Sequence, residues 1–169
     1  MRGEGYLKRW TWLVVILVIA GLISGYMYNL VSGKYGETTV LELFKIVDSD
    51  YSKELYSTGT INYNSEEITN NKKITLSTEN RSNLLNQLEI TSVTGIKRKD
   101  IDALDIHNSY IIEFESEVAE DLVLFIGRDE NTQNIILEIM AMDKKLADKY
   151  LVQNVEVFNL IEELIEQAP

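Results

Sequence analysis

Thr11–Val31, TWLVVILVIAGLISGYMYNLV, runs for 21 residues without a charge. A helix rises about 1.5 Å per residue, so about 20 apolar residues cross a hydrocarbon core of ~30 Å. The stretch predicts a transmembrane helix. It divides the chain into a short tail, residues 1–10, and a body behind it. The tail carries Arg2, Lys8 and Arg9 against Glu4, and the far flank carries only Lys34 before Glu37. Basic residues are held on the cytoplasmic side of a membrane, so the tail is expected inside and the body outside. Trp10 and Trp12 mark one end of the run, and Tyr26 and Tyr28 the other. Aromatic side chains of this kind favour the two interfaces. The expectation is a single-pass signal-anchor in the cell membrane with an extracytoplasmic body.

Two other readings of the run fit less well. A cleaved secretory signal has an apolar region of about 7–15 residues and a small-x-small cleavage site. Here the run is longer, and Val31-Ser32-Gly33 is the better of two poor sites. Gly5-Tyr6-Leu7 echoes a prepilin site, but Lys8-Arg9-Trp10 follow it, and the glutamate expected near the start of a mature pilin helix is missing. Within the run, Gly21 and Gly25 form a GxxxG, with Ala20 and Ser24 as an adjacent small pair. Small residues on one face let helices approach closely, which offers a route to a homo-oligomer.

The rest of the chain is long enough for one domain with its own core. Residues 32–39 (SGKYGETT) read as a linker, and 40–169 as the domain. Beyond Gly33 there are 13 basic and 26 acidic residues. A body this acidic is repelled by nucleic acid and anionic lipid, and it attracts cations or basic partners. The chain has no cysteine, so it uses neither disulfides nor a lipidated cysteine.

Periodicity predicts an α+β fold. Val40–Val47 fits either a strand or a short helix. Residues 48–71 read as mostly irregular, with a short strand at Thr60–Tyr63. Lys72–Ser77 alternates as a half-buried strand. A helix is expected over Glu79–Leu88, capped by Ser77 or Thr78, with Leu84, Leu85 and Leu88 on one face. Thr91–Lys97 alternates again. Ser109–Glu115, Leu122–Gly127 and Asn134–Met142 are rich in β-branched and aromatic residues. They lie too close in sequence for parallel crossovers, so they predict an antiparallel meander. Tyr150–Val152 reads as an edge strand. Val155–Gln167, with Asn154 as its N-cap, reads as a terminal helix with Phe158, Ile161, Leu164 and Ile165 facing the sheet. The expected body is one compact domain with an antiparallel sheet, one inserted helix and a C-terminal helix.

Catalytic signatures are scarce. There is no thiol, no G-x-S-x-G elbow and no phosphate-binding glycine loop. The single histidine, His107, reads as a strand-edge or loop residue. With one His and no Cys, a metal site would have to be built from carboxylates. Asp48, Asp50, Ser52 and Glu54 place oxygens at alternate positions, like the start of an EF-hand loop. However, Lys53 stands at the sixth position where glycine belongs, and Gly59 at the twelfth where glutamate belongs. Asp100, Asp102 and Asp105 form a second acidic group. A solvated acidic loop explains either group more simply. Paired carboxylates could also serve a glycosidase, which needs only two. No cofactor is implied.

The series KKITLS, NLLNQL, YIIEF, LVLFI, ILEIM, KYLVQN and FNLIEEL, over residues 72–167, resembles small envelope proteins of Gram-positive bacteria. Those have an N-terminal signal or anchor and a compact α+β domain. The resemblance rests on the order of elements and carries over no functional residue. It implies a non-enzymatic, membrane-anchored binding or accessory module for a protein or cell-wall partner. The competing expectations are a carboxylate-based envelope hydrolase and an assembly subunit joined through Gly21 and Gly25.

Overall fold

The computed structural model describes residues 14–25, 34–64, 72–140, 146 and 148–168. The chain divides into two units, Met1–Lys34 and Tyr35–Pro169.

In the first unit, residues 14–25 are helical, with exposed side chains such as Leu17 and Leu22. No helix among the described residues is long and apolar enough to cross a membrane. This corrects the expected transmembrane helix over Thr11–Val31. The single-pass anchor and the inside–outside placement derived from it fall with that helix. Trp10, Trp12, Tyr26 and Tyr28 lie outside the described residues. Gly21 and Gly25 lie within the helical stretch, and a Cβ added at either meets nothing within 4 Å.

The second unit is α+β, with one antiparallel sheet. Its strands are β1 (Glu37–Thr39), β2 (Tyr56–Asn64), β3 (Lys72–Thr75), β4 (Ser92–Gly95), β5 (Ile106–Ser116), β6 (Leu122–Asp129), β7 (Ile135–Ile139) and β8 (Tyr150–Val152). They lie in the order β1-β4-β8-β7-β6-β5-β2-β3. The helices are α1 (Val40–Val47), α2 (Thr78–Ile90), the single turn α3 (Arg98–Ile101) and α4 (Glu156–Glu166).

The expected meander β5-β6-β7 is found at the centre, each pair antiparallel. Its alternation sets the core. Tyr110, Ile112 and Phe114 of β5 pair with Ile126, Leu124 and Leu122 of β6. Leu124 and Ile126 in turn oppose Ile139 and Leu137 of β7. These side chains form one buried cluster with Val40, Leu43 and Phe44 of α1, Leu84, Leu85 and Leu88 of α2, and Val157, Phe158, Ile161 and Leu164 of α4. The three helices therefore share one face of the sheet.

Several local outcomes decide or change the sequence expectation. Val40–Val47 is a helix because Thr39 and Glu42 close a capping box: Glu42 N donates to Thr39 Oγ1 at 3.3 Å, and Thr39 N donates to Glu42 Oε2 at 3.2 Å. Glu37–Thr39, inside the stretch read as linker, pairs with β4 as an edge strand. The four-residue strand expected at Thr60–Tyr63 is part of a nine-residue one, held between β3 and β5. Tyr150–Val152 is an interior strand, hydrogen-bonded to β4 on one side and β7 on the other. At α4, Val155 takes the cap position without a side-chain bond, while Asn154 Oδ1 still accepts from Glu156 N at 3.3 Å.

The connection from β4 to β5 spans β8, β7 and β6. It ends at Ile106, whose side chain lies against Gly127, where a Cβ would sit 2.5 Å from Ile106 Cγ2. This packing is on the sheet face away from the main core. Ile136, which opposes Gly127, is buried on that face and stands apart from the main cluster.

Candidate functional site

The distinctive chemistry of the unit gathers where the ends of β5 and β6 meet α4. On β6 the core-facing phase runs Leu122, Leu124, Ile126 and then Arg128. The same alternation that buries three aliphatic residues thus carries a guanidinium toward the helix layer. Its neighbour in register on β5 is His107. A bulge between His107 and Tyr110 adds one residue to β5, with Asn108 at φ 45°. Asparagine tolerates that left-handed conformation. The extra residue reverses the alternation, so His107 shares a face with Arg128 and Tyr110.

Arg128 is held mainly by packing. Its Cζ lies 4.7 Å from the Phe158 ring centroid, and its Nη2 is 3.9 Å from Glu162 Oε2. The ion pair is long, and its side chains are 34 % and 42 % exposed, so it contributes at most about 1 kcal/mol. The ring contact contributes about 0.5–2 kcal/mol. Nε is buried and has no hydrogen-bond partner among the described residues. None of the hydrogen bonds among the described residues ends on this guanidinium.

Aromatic rings complete the surroundings. Tyr110 packs at 5.4 Å against both Tyr63 and Phe158, stacked on the first and tilted to the second. Burial, and then the Glu162 charge, push the Tyr110 hydroxyl above its ordinary range, while Arg128 partly offsets them. His107 Nε2 lies 2.9 Å from Asp105 Oδ1.

The β6–β7 loop fixes this end of β6. Asp129 is 1 % exposed. Its carboxylate accepts from Asp105 N at 2.8 Å, from Thr132 N at 3.1 Å and from the Thr132 hydroxyl. The Thr132 hydroxyl first, and then the Asp105 amide, hold the carboxyl below its usual range. Asp129 N donates to Asn134 O, and Gln133, at φ 62°, donates to Asp129 O. The residue after Arg128 is thus tied to the entry of β5 and to its own loop.

The sequence candidates lie elsewhere. Asp48, Asp50, Ser52 and Glu54 build the turn between α1 and a 3-10 turn at Lys53–Leu55. Asp50 N donates to Asp48 Oδ1 at 2.9 Å, and the Ser52 hydroxyl donates to Glu54. That hydroxyl bond is the main reason the Glu54 carboxyl is held low. Asp100 lies in α3, Asp102 caps it, and Asp105 pairs with His107. Among the described residues, no three acidic or histidine side chains form a group able to hold a metal.

A second polar cluster is fully engaged. Tyr51 donates to Glu89 Oε1 at 3.0 Å, Lys53 Nζ lies 3.8 Å from Glu89 Oε2, and Lys53 donates to Asn86 Oδ1 at 2.5 Å. It ties the 3-10 turn to α2. Arg128 differs: no hydrogen bond among the described residues ends on its guanidinium, and Glu162 stands 3.9 Å away.

The strand expected over Leu122–Gly127 stops one residue short of Arg128, whereas β6 runs to Asp129. The place of Arg128 in the 122–124–126–128 alternation is the signal that could have found it. Protein-family models, curated proteins and solved structures offer no match to this chain.

Proposed function

We propose that the Tyr35–Pro169 unit is a non-enzymatic binding module for a protein partner, and that it takes hold through the Arg128 end of the sheet. One observation carries this reading: a half-buried guanidinium sits on an aromatic ring while no hydrogen bond among the described residues ends on it. A planar set of donors held by stacking is preorganised, so a ligand orders little side chain on binding. Tyr63, half-buried beside Arg128, adds an aromatic ring of the kind that dominates binding hot spots, while the buried rings of Tyr110 and Phe158 hold it and the guanidinium in place.

The test is capture of a binding partner from a native extract by the immobilised full-length chain. The same capture is run with Arg128→Ala and with Lys53→Ala, a change outside the cluster. A partner retained by the parent and by Lys53→Ala, and lost by Arg128→Ala, is the expected result. Equal capture by all three overturns the reading. So does hydrolysis of a glycan by the purified chain that acidic-residue variants abolish.

A further inference from the structure

We infer that Arg128 receives a carboxylate, which it binds through the in-plane edge of its guanidinium. The inference rests on the reading of this end as a binding surface and names the chemical class of the group bound there. One flat side of the guanidinium is covered by Phe158 at 4.7 Å, which directs a ligand toward the edges. Those edges carry paired N–H donors at the spacing of a carboxylate's two oxygens, so a bidentate pair fits them. Nε is buried and the side chain is a third exposed, so the Nη1 and Nη2 edge is the one a ligand reaches.

Charge favours a monoanion over phosphate. The chain carries a net charge of −11, and Glu162 stands 3.9 Å from the same guanidinium. A dianionic group meets roughly twice the repulsion that a carboxylate meets from these charges. Glu162 also brings a carboxylate to the cation without reaching hydrogen-bond distance. It acts as a resident competitor that an incoming carboxylate displaces. The half-buried Tyr63 ring, stacked on Tyr110, offers an apolar wall for the chain that bears the ligand carboxylate.

The experiment uses the full-length, isotope-labelled chain and follows the Arg128 Nε–Hε resonance at constant ionic strength. Acetate, acetamide and inorganic phosphate are titrated separately. The expected result is a saturable shift with acetate, with a dissociation constant on the order of millimolar, since so small a ligand gains little contact. Acetamide gives none, and phosphate saturates more weakly than acetate. Glu162→Gln tightens acetate binding about two- to fivefold by removing the competing charge. Arg128→Lys, followed through the neighbouring backbone amides, weakens it about tenfold by losing the fork.

No saturable acetate shift overturns the inference, as does phosphate binding tighter than acetate. It is also overturned if the neighbouring amides respond unchanged in Arg128→Ala, a variant whose remaining spectrum shows whether the fold is intact. A failed acetate titration alongside Arg128-dependent capture of a protein removes the carboxylate and leaves the binding reading standing.

Discussion

Gly127 and Asp129 sit on either side of Arg128 along β6, and each constrains it differently. Gly127 faces Ile106, and a methyl group there would lie 2.5 Å from Ile106 Cγ2. Gly127→Ala is expected to destabilise the unit by about 1–3 kcal/mol, as overpacking does. Chemical denaturation checks this, and a second change, Ile106→Ala, should recover part of the loss. Asp129 acts through its charge. Its folded carboxyl titrates below the ordinary value of 3.8, so the unfolded chain takes up the proton first as pH falls. The stabilisation is therefore present above about pH 4 and lost on going down through the folded value. Stability measured between pH 5 and 2 should fall for the parent. Asp129→Asn should start lower at pH 6 and fall less over that window.

Elements were legible where one signal decided them. The meander and the leucine face of α2 follow from alternation and helical spacing, and both are present. Ser77 caps α2, with Asn80 N donating to its hydroxyl at 3.2 Å. Val40–Val47 stayed open because periodicity alone does not separate a short strand from a short helix. The deciding signal was Thr39 followed three residues later by Glu42. Thr39→Ala is expected to lower stability by about 1 kcal/mol, read from the denaturation midpoint. In sequence, Tyr150–Val152 reads as a short edge strand. Its interior position depends on pairing with β4, some 55 residues earlier in the chain, which no local pattern records. The short strand expected at Thr60–Tyr63 falls short of Tyr56–Asn64 for a similar reason. Pairing with β5 extends the strand through Tyr56–Gly59, where the serine, threonine and glycine carry no strand pattern of their own.

For the whole chain, composition and topology say different things. The uncharged run of 21 residues satisfies a length criterion, yet no helix among the described residues is long and apolar enough to cross a membrane. The candidate site was less legible than the fold. Arg128, Tyr110, Phe158 and Glu162 come from three separate elements, and only the sheet register and the seat of α4 bring them together. His107 stands out in sequence as the lone histidine, but the bulge that puts it on the face of Arg128 has no marker beyond Asn108. The acidic group at 48–54 was visible in sequence because its members are adjacent, and that adjacency lets them bond to one another in a turn.

The most direct measurement is the dissociation constant of the captured partner for the full-length chain and for Arg128→Ala, determined by calorimetry alongside each protein's thermal midpoint. Binding at least about tenfold weaker in the variant, at an unchanged midpoint, is the expected result for a residue at the centre of the interface. Equal affinity for the two proteins would contradict a binding role for this end of the sheet.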